Sequence, residues 1–185
     1  MRTISLQEDN FEEEILSTEQ IFTGSVLNLR VDQIEQSTGH RASREVVEHS
    51  GGVTIIPLLS EKQIVMVKQY RHAAAEVLLE LPAGKLEKGE QPRACVQREL
   101  IEETGYNPGK VEKLFSFYTT PAYSSELLHL YLGRDLEFDK KDPDQGEIIV
   151  TEIIHRHQIM DLIEKGKIKD SKTIIGLLYI LGKGL

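Results

Sequence analysis

Glu99, Glu102 and Glu103 fall within five positions of the stretch GKLEKGEQPRACVQRELIEETGY, residues 84–106. Like charges at i,i+4 spacing cost an isolated helix roughly a few tenths of a kcal/mol, so something must offset them. Either Arg98 and solvent neutralise the carboxylates, or the carboxylates gather around a hard cation. Divalent cations of this kind take oxygen ligands, typically a few carboxylates completed by water and phosphate. A carboxylate-held cation beside a phosphate ester draws charge off the phosphate oxygens and opens phosphorus to water. The residue types thus leave two readings open, a solvated charge run around Arg98 or a carboxylate set for a divalent cation that could serve chemistry at a phosphate.

The flanking residues indicate what positions these side chains. Pro92 suits a first helical turn and Gly105 a stop, so the punctuation predicts a helix over 92–104, with Gln91 a weak N-cap. At about 100° per residue, Glu99, Glu102 and Glu103 share one arc, while Ala94, Val96, Leu100 and Ile101 centre on the other. The expected helix turns its apolar face inward and its carboxylate face outward.

Gly84, five residues, Glu90, seven residues, and then Arg98-Glu99-Leu100-Ile101-Glu102-Glu103-Thr104-Gly105-Tyr106 fits GX5EX7REUXEEXGU, with U apolar, at every specified position. The stretch resembles the signature box of the Nudix hydrolase family. The resemblance implies a loop-helix-loop over residues 84–106, with Glu99 and Glu103 as the main metal ligands, Glu102 in support and the backbone carbonyl of Ala83 completing the site. It casts Arg98 and Glu90 as the pair holding loop and helix together, and Gly84 and Gly105 as points of backbone freedom. Mg2+ is the implied cofactor, with Mn2+ as a substitute. The bond cleaved is the pyrophosphate of a nucleoside diphosphate linked to a second group.

QYR at 69–71 and ELPAG at 80–84 stand just before the box, and with RVDQIEQSTGHRASREVVEHSGGVTIIPL at 30–58 they resemble the ADP-ribose pyrophosphatase branch. Pro121, 16 residues beyond Gly105, is a further marker of that branch; Tyr123 points the other way, to dinucleoside polyphosphate hydrolases. By the same resemblance Arg71 contacts phosphate, for which a guanidinium is well shaped, and Arg44 reaches the substrate too. The resemblance also implies a general base on a late loop, where DPDQGEIIVTE offers Glu147, with Glu102 as its competitor. The acidic cluster usual at that loop is thinned to DPDQGE. The implied reaction is hydrolysis of ADP-ribose to AMP and ribose 5-phosphate. Another nucleoside diphosphate sugar such as GDP-mannose, a dinucleoside polyphosphate, and a non-catalytic nucleotide sensor stay open. Relatives of this branch also imply a homodimer that exchanges N-terminal strands and shares its substrate site.

The elements around the box read as an α+β fold, a mixed sheet sandwiched between helices. VTIIPLL and QIVMVKQYR flank the polar SEK as a hairpin; KLFSFYTTP, ELLHLYLG and EIIVTEIIH follow the box as strands, and residues 156–168 and 170–184 read as closing helices. Residues 1–48, with FTGSVLNLRVDQIEQ and REVVEH as β-like runs, form a small N-terminal β subdomain expected to pack on the main domain or on a second subunit. Residues 49–185 form the hydrolase domain.

A net charge of -8 argues against nucleic acid or an anionic membrane as partner. An acidic start without an apolar core argues against export, and the run Ile174 to Leu181 falls short of the roughly 20 residues that span a bilayer. The lone Cys95 reads as a buried apolar residue and fits a reducing cytoplasm. His155, His157 and His129 lack zinc spacing and are assigned no chemistry.

Overall fold

The structure is a computed structural model that describes residues 12–139 and 148–184. The chain forms two compact units. One runs up to His49 and takes in Thr120–Glu126; the other comprises Ser50–Thr119 and the chain from Leu127 onward.

The smaller unit is an antiparallel sheet of β1 (Glu13–Thr23), β2 (Asn28–Gln36) and β3 (Arg41–Glu48), in that order. The pattern predicts strand from Phe22 onward; instead an edge strand begins at Glu13, and the chain turns between Thr23 and Asn28. EEILSTEQIFT carries no clean alternation, and no residue of β1 is buried, so neither face selects for apolar side chains. Its ladder to β2, from Glu13↔Gln36 to Thr23↔Asn28 with two register shifts, makes it a strand despite the local sequence. Ile34 is the one buried apolar side chain among the described residues of this unit. Residues 120–126, which the sequence division leaves with the larger piece, pair here with the end of β3: the Val47 amide donates to the Tyr123 carbonyl (2.7 Å) and the Ser125 amide to the Val47 carbonyl (3.0 Å).

The larger unit contains β4 (Gly52–Ser60), β5 (Gln63–Arg71), β6 (Glu76–Glu80), β7 (Ala83–Lys85), α1 (Pro92–Thr104), β8 (Tyr106–Tyr118), β9 (Leu127–Phe138), β10 (Ile149–His155), α2 (Ile159–Glu164) and α3 (Ser171–Lys183). The sheet runs β10-β5-β4-β9-β8, with β6 on β5 and β7 on β4; β4 and β9 are parallel, and the other pairs antiparallel. Alternation along β4 decides what packs where. Val53 and Ile55 join Cys95, Val96 and Leu100 of α1 in one core, while Ile56 and Leu58 join Ile159, Leu177 and Ile180 of α2 and α3 in the other. The sheet is thus sandwiched by helices, as the pattern predicts.

The helix predicted over 156–168 is shorter. A 3-10 turn at Arg156–Gln158 leads into α2, and Gly166, at φ 62°, takes the chain out of the helix. Ile168 is then free to plug the core as a loop residue. Asp170 caps α3, accepting from the Thr173 amide at 2.9 Å. His129 meets a strand neighbour, its Nδ1 lying 2.7 Å from Ser116 Oγ. No helix among the described residues is long and apolar enough to cross a membrane.

Candidate metal centre and anion site

The loop before α1 and the helix are joined by ionic contacts. Glu90 accepts the Glu87 amide (3.1 Å) and a two-pronged contact from Arg98, Nε to Oε1 at 3.0 Å and Nη2 to Oε2 at 3.1 Å. Arg98 holds the Glu90 carboxyl down at about 2. The same guanidinium turns Nη1 to Glu102 (2.8 Å) and Glu99 (2.9 Å), so one cation offsets the repulsion among three acids. Cys95 lies beneath this network, its thiol pushed up by burial to about 12, a packing group rather than a nucleophile.

Glu99 and Glu103 are not on a solvent face, contrary to the outward arc drawn from the helical wheel. They turn onto β7, the strand formed by Ala83, Gly84 and Lys85. A Cβ on Gly84 would lie 2.0 Å from Glu99 Oε1 and 2.4 Å from its Cγ, so only glycine leaves room for this carboxylate. One turn on, Glu103 Oε2 accepts the Ala83 amide at 3.1 Å. Burial pushes the Glu103 carboxyl up to about 8 and also raises that of Glu99, where Arg98 partly opposes it. Ala94, placed on the inward arc by its spacing, is exposed; Cys95 takes the core position instead.

As positioned, Glu99 and Glu102 face Arg98, and no three His, Cys, Asp or Glu side chains among the described residues are gathered in a metal-holding cluster. The donor set nevertheless suits a hard divalent cation. It is all oxygen, and Glu103, partly buried, has no ion-pair partner among the described residues. A cation at this point would relieve the desolvation that now disfavours its ionised form.

A second ionic cluster lies at the end of β5. Arg71 grips Glu80 with Nε to Oε1 and Nη2 to Oε2, both 2.8 Å. Glu80 is 1% exposed. Lys172, in the first turn of α3, also pairs with Glu80 and lies 3.0 Å from Asp170 Oδ2. Burial alone would raise the Glu80 carboxyl, but Arg71 and Lys172 together hold it below the usual range. Gln69, two residues before Arg71 and so on the same face of β5, has a buried Nε2 without a hydrogen-bond partner among the described residues.

A family profile described as NUDIX domain matches residues 48–175, more than half of the chain. The chain belongs to the Nudix family. It is 42% identical over 174 residues to the methanol dehydrogenase activator of Bacillus methanolicus, a match covering 92% of this chain and 93% of that one. It is 36% identical over 173 residues to the ADP-ribose pyrophosphatase of Bacillus subtilis (strain 168), covering 92% and 94%. The solved structure of an ADP compounds hydrolase superposes with a TM-score of 0.83 over 96% of this chain and 98% of the other, at 20% identity, which shows a common fold.

In this Nudix chain the structure brings Ala83, Gly84, Glu90, Arg98, Glu99, Glu102 and Glu103 into one neighbourhood, and Gly105, at φ 75°, closes α1. Arg71 stands in the same unit. Arg44 belongs to the smaller unit, where it pairs with Glu13 and borders a cavity of about 450 Å3 together with Pro121 and Tyr123. Glu147 lies outside the described residues. Two charged side chains of this second ionic cluster are absent from the sequence-based expectations, Glu80 and Lys172. Each carried a signal: an acid closing the apolar run EVLLE, and a lysine in a helical first turn, where the dipole disfavours a cation.

Proposed function

We propose that the chain is a cytoplasmic, Mg2+-dependent Nudix hydrolase that splits ADP-ribose into AMP and ribose 5-phosphate, with Mn2+ able to replace Mg2+. The observation that carries this is the pair Glu99 and Glu103, two partly buried carboxylates turned onto the β7 backbone, the second in no ion pair among the described residues. The 36% identity to an ADP-ribose pyrophosphatase over nearly the whole chain supports the substrate.

In this reading Glu99 and Glu103 hold the metal, joined by the backbone carbonyl of Ala83, whose N–H donates a hydrogen bond to Glu103 and so ties this residue to the site. A bound divalent ion supplies charge neutralisation at the pyrophosphate oxygens and lowers the pKa of bound water. Arg71 receives a phosphate on the guanidinium edge that Glu80 leaves open, and Arg44 is a second candidate substrate contact. Glu102 is committed to Arg98, which favours Glu147 over Glu102 as the general base.

The smaller unit supports a dimer. Ile15, Leu16, Ile21 and Phe22 are exposed on a sheet with almost no core, and a second copy of the chain would cover them. Light scattering should give about twice the 21.0 kDa chain mass.

The deciding experiment is a substrate panel of ADP-ribose, GDP-mannose and a dinucleoside polyphosphate with Mg2+, scored by kcat/KM with products identified by chromatography. ADP-ribose should lead and yield AMP and ribose 5-phosphate. A lead by another compound would move the substrate within the family, and tight nucleotide binding without turnover of any would make the protein a sensor.

A further inference from the structure

Arg71 ends a strand, and its side chain is 41% exposed. An arginine so placed would ordinarily sample several rotamers and lose entropy on gripping an anion. Here it is held. Glu80 takes its Nε and Nη2 edge, which leaves the Nη1 edge open. A carboxylate as buried as Glu80 is costly unless cations surround it, and a single arginine would be wholly consumed in neutralising it. Lys172 supplies the second cation. Its own position is unfavourable on two counts, since it is nearly buried and sits where the α3 dipole repels positive charge. The α3 dipole does not favour a lysine there; its contacts to the N-cap Asp170 and to Glu80, 92 residues away, do.

The first turn of α3 also grips the residue next to Glu80. The Leu81 amide donates to Thr173 Oγ1 at 2.9 Å, and that hydroxyl donates to Asp170 Oδ2 at 2.6 Å. Both the side chain of Glu80 and the backbone after it are therefore fixed by one helical turn. We infer that Lys172, acting through Glu80, is a positioning residue that sets the orientation of Arg71 and keeps its charge available to the substrate's phosphate. This rests on the reading above in which Arg71 contacts that phosphate. Without Lys172, Glu80 draws the whole charge of Arg71 inward, and the anion is held less well.

The test is steady-state ADP-ribose hydrolysis by the full chain at saturating Mg2+, with thermal melts run alongside. Arg71→Ala should raise KM roughly tenfold, the loss of one charge-assisted contact. Lys172→Met should raise KM roughly fivefold with kcat within about twofold, and Lys172→Arg should restore most of it. In the Arg71→Ala background Lys172→Met should change KM no further. If Lys172→Met does not fold, Glu80→Asp, which keeps the charge and shortens its reach, enters the same comparison. An unchanged KM in Lys172→Met, or an equal rise in both backgrounds, overturns the positioning role while leaving the Arg71 contact standing. An unchanged KM in Arg71→Ala removes the contact itself, and the positioning role with it.

Discussion

The carboxylate of Glu99 lies across the backbone of Gly84, in the space a Cβ would fill. Gly84→Ala must therefore move Glu99, at its Cγ as well as its tip. Activity should fall about a hundredfold or more, with weaker Mg2+ binding by calorimetry, while the melting temperature changes by only a few degrees. Activity near wild type would show that Glu99 does its work from elsewhere.

Glu103 separates stability from activity. Burial raises its carboxyl from 4.5 to about 8 in the folded state, so the folded chain favours the protonated form. Its stabilising effect is full below about pH 4.5 and is lost as pH rises through about 8. Glu103→Gln keeps an oxygen for the Ala83 amide and never ionises. The metal-free variant should melt higher than wild type at pH 8.5, with the gap closing by pH 5, yet turn over no substrate. Retained full turnover would contradict the metal role.

Mg2+ binding should consequently depend on pH. The ion must displace a proton from Glu103 below about pH 8, so affinity should rise between pH 6 and 8.5 and the Mg2+-induced gain in melting temperature should grow with it. Titrations in two buffers of different ionisation enthalpy should reveal proton release at pH 7. An equal Mg2+ shift at both pH values would place the ion away from Glu103.

Arg98 is the common cation of Glu90, Glu99 and Glu102. Arg98→Met leaves three acids without their partner and frees the loop from the helix. Urea unfolding should show a loss of about 2 kcal/mol, since a partly buried hydrogen-bonded charge network is broken on one side only. A loss within about 0.5 kcal/mol would mean that solvent alone suffices for these carboxylates.

Local signals made much of this legible. Proline and glycine at its two ends gave α1 its limits, Pro92 to Thr104, and two apolar runs around a polar SEK gave the β4–β5 hairpin. Where the signal is not local, the sequence was silent or misleading. A helical wheel ranks positions by angle and cannot know that β7 lies against the acidic arc, so it turned Glu99 and Glu103 outward. β1 owes its form to pairing with β2, and its own residues do not announce it. Glu80 and Lys172 are 92 residues apart, and no periodicity connects them. Residues 120–126 were assigned by chain order, whereas backbone bonds to Val47 place them in the smaller unit.

The grip of α3 on Glu80 and Leu81 also sets a schedule for synthesis. On the ribosome the signature glutamates emerge long before Lys172, so a nascent chain can carry its whole catalytic box and still lack the residue that steadies Arg71. Folding of the larger unit should thus finish late, with the final helix, and a chain cut short before it loses Leu177 and Ile180 from its core as well as Lys172, so its activity should fall far below that of Lys172→Met.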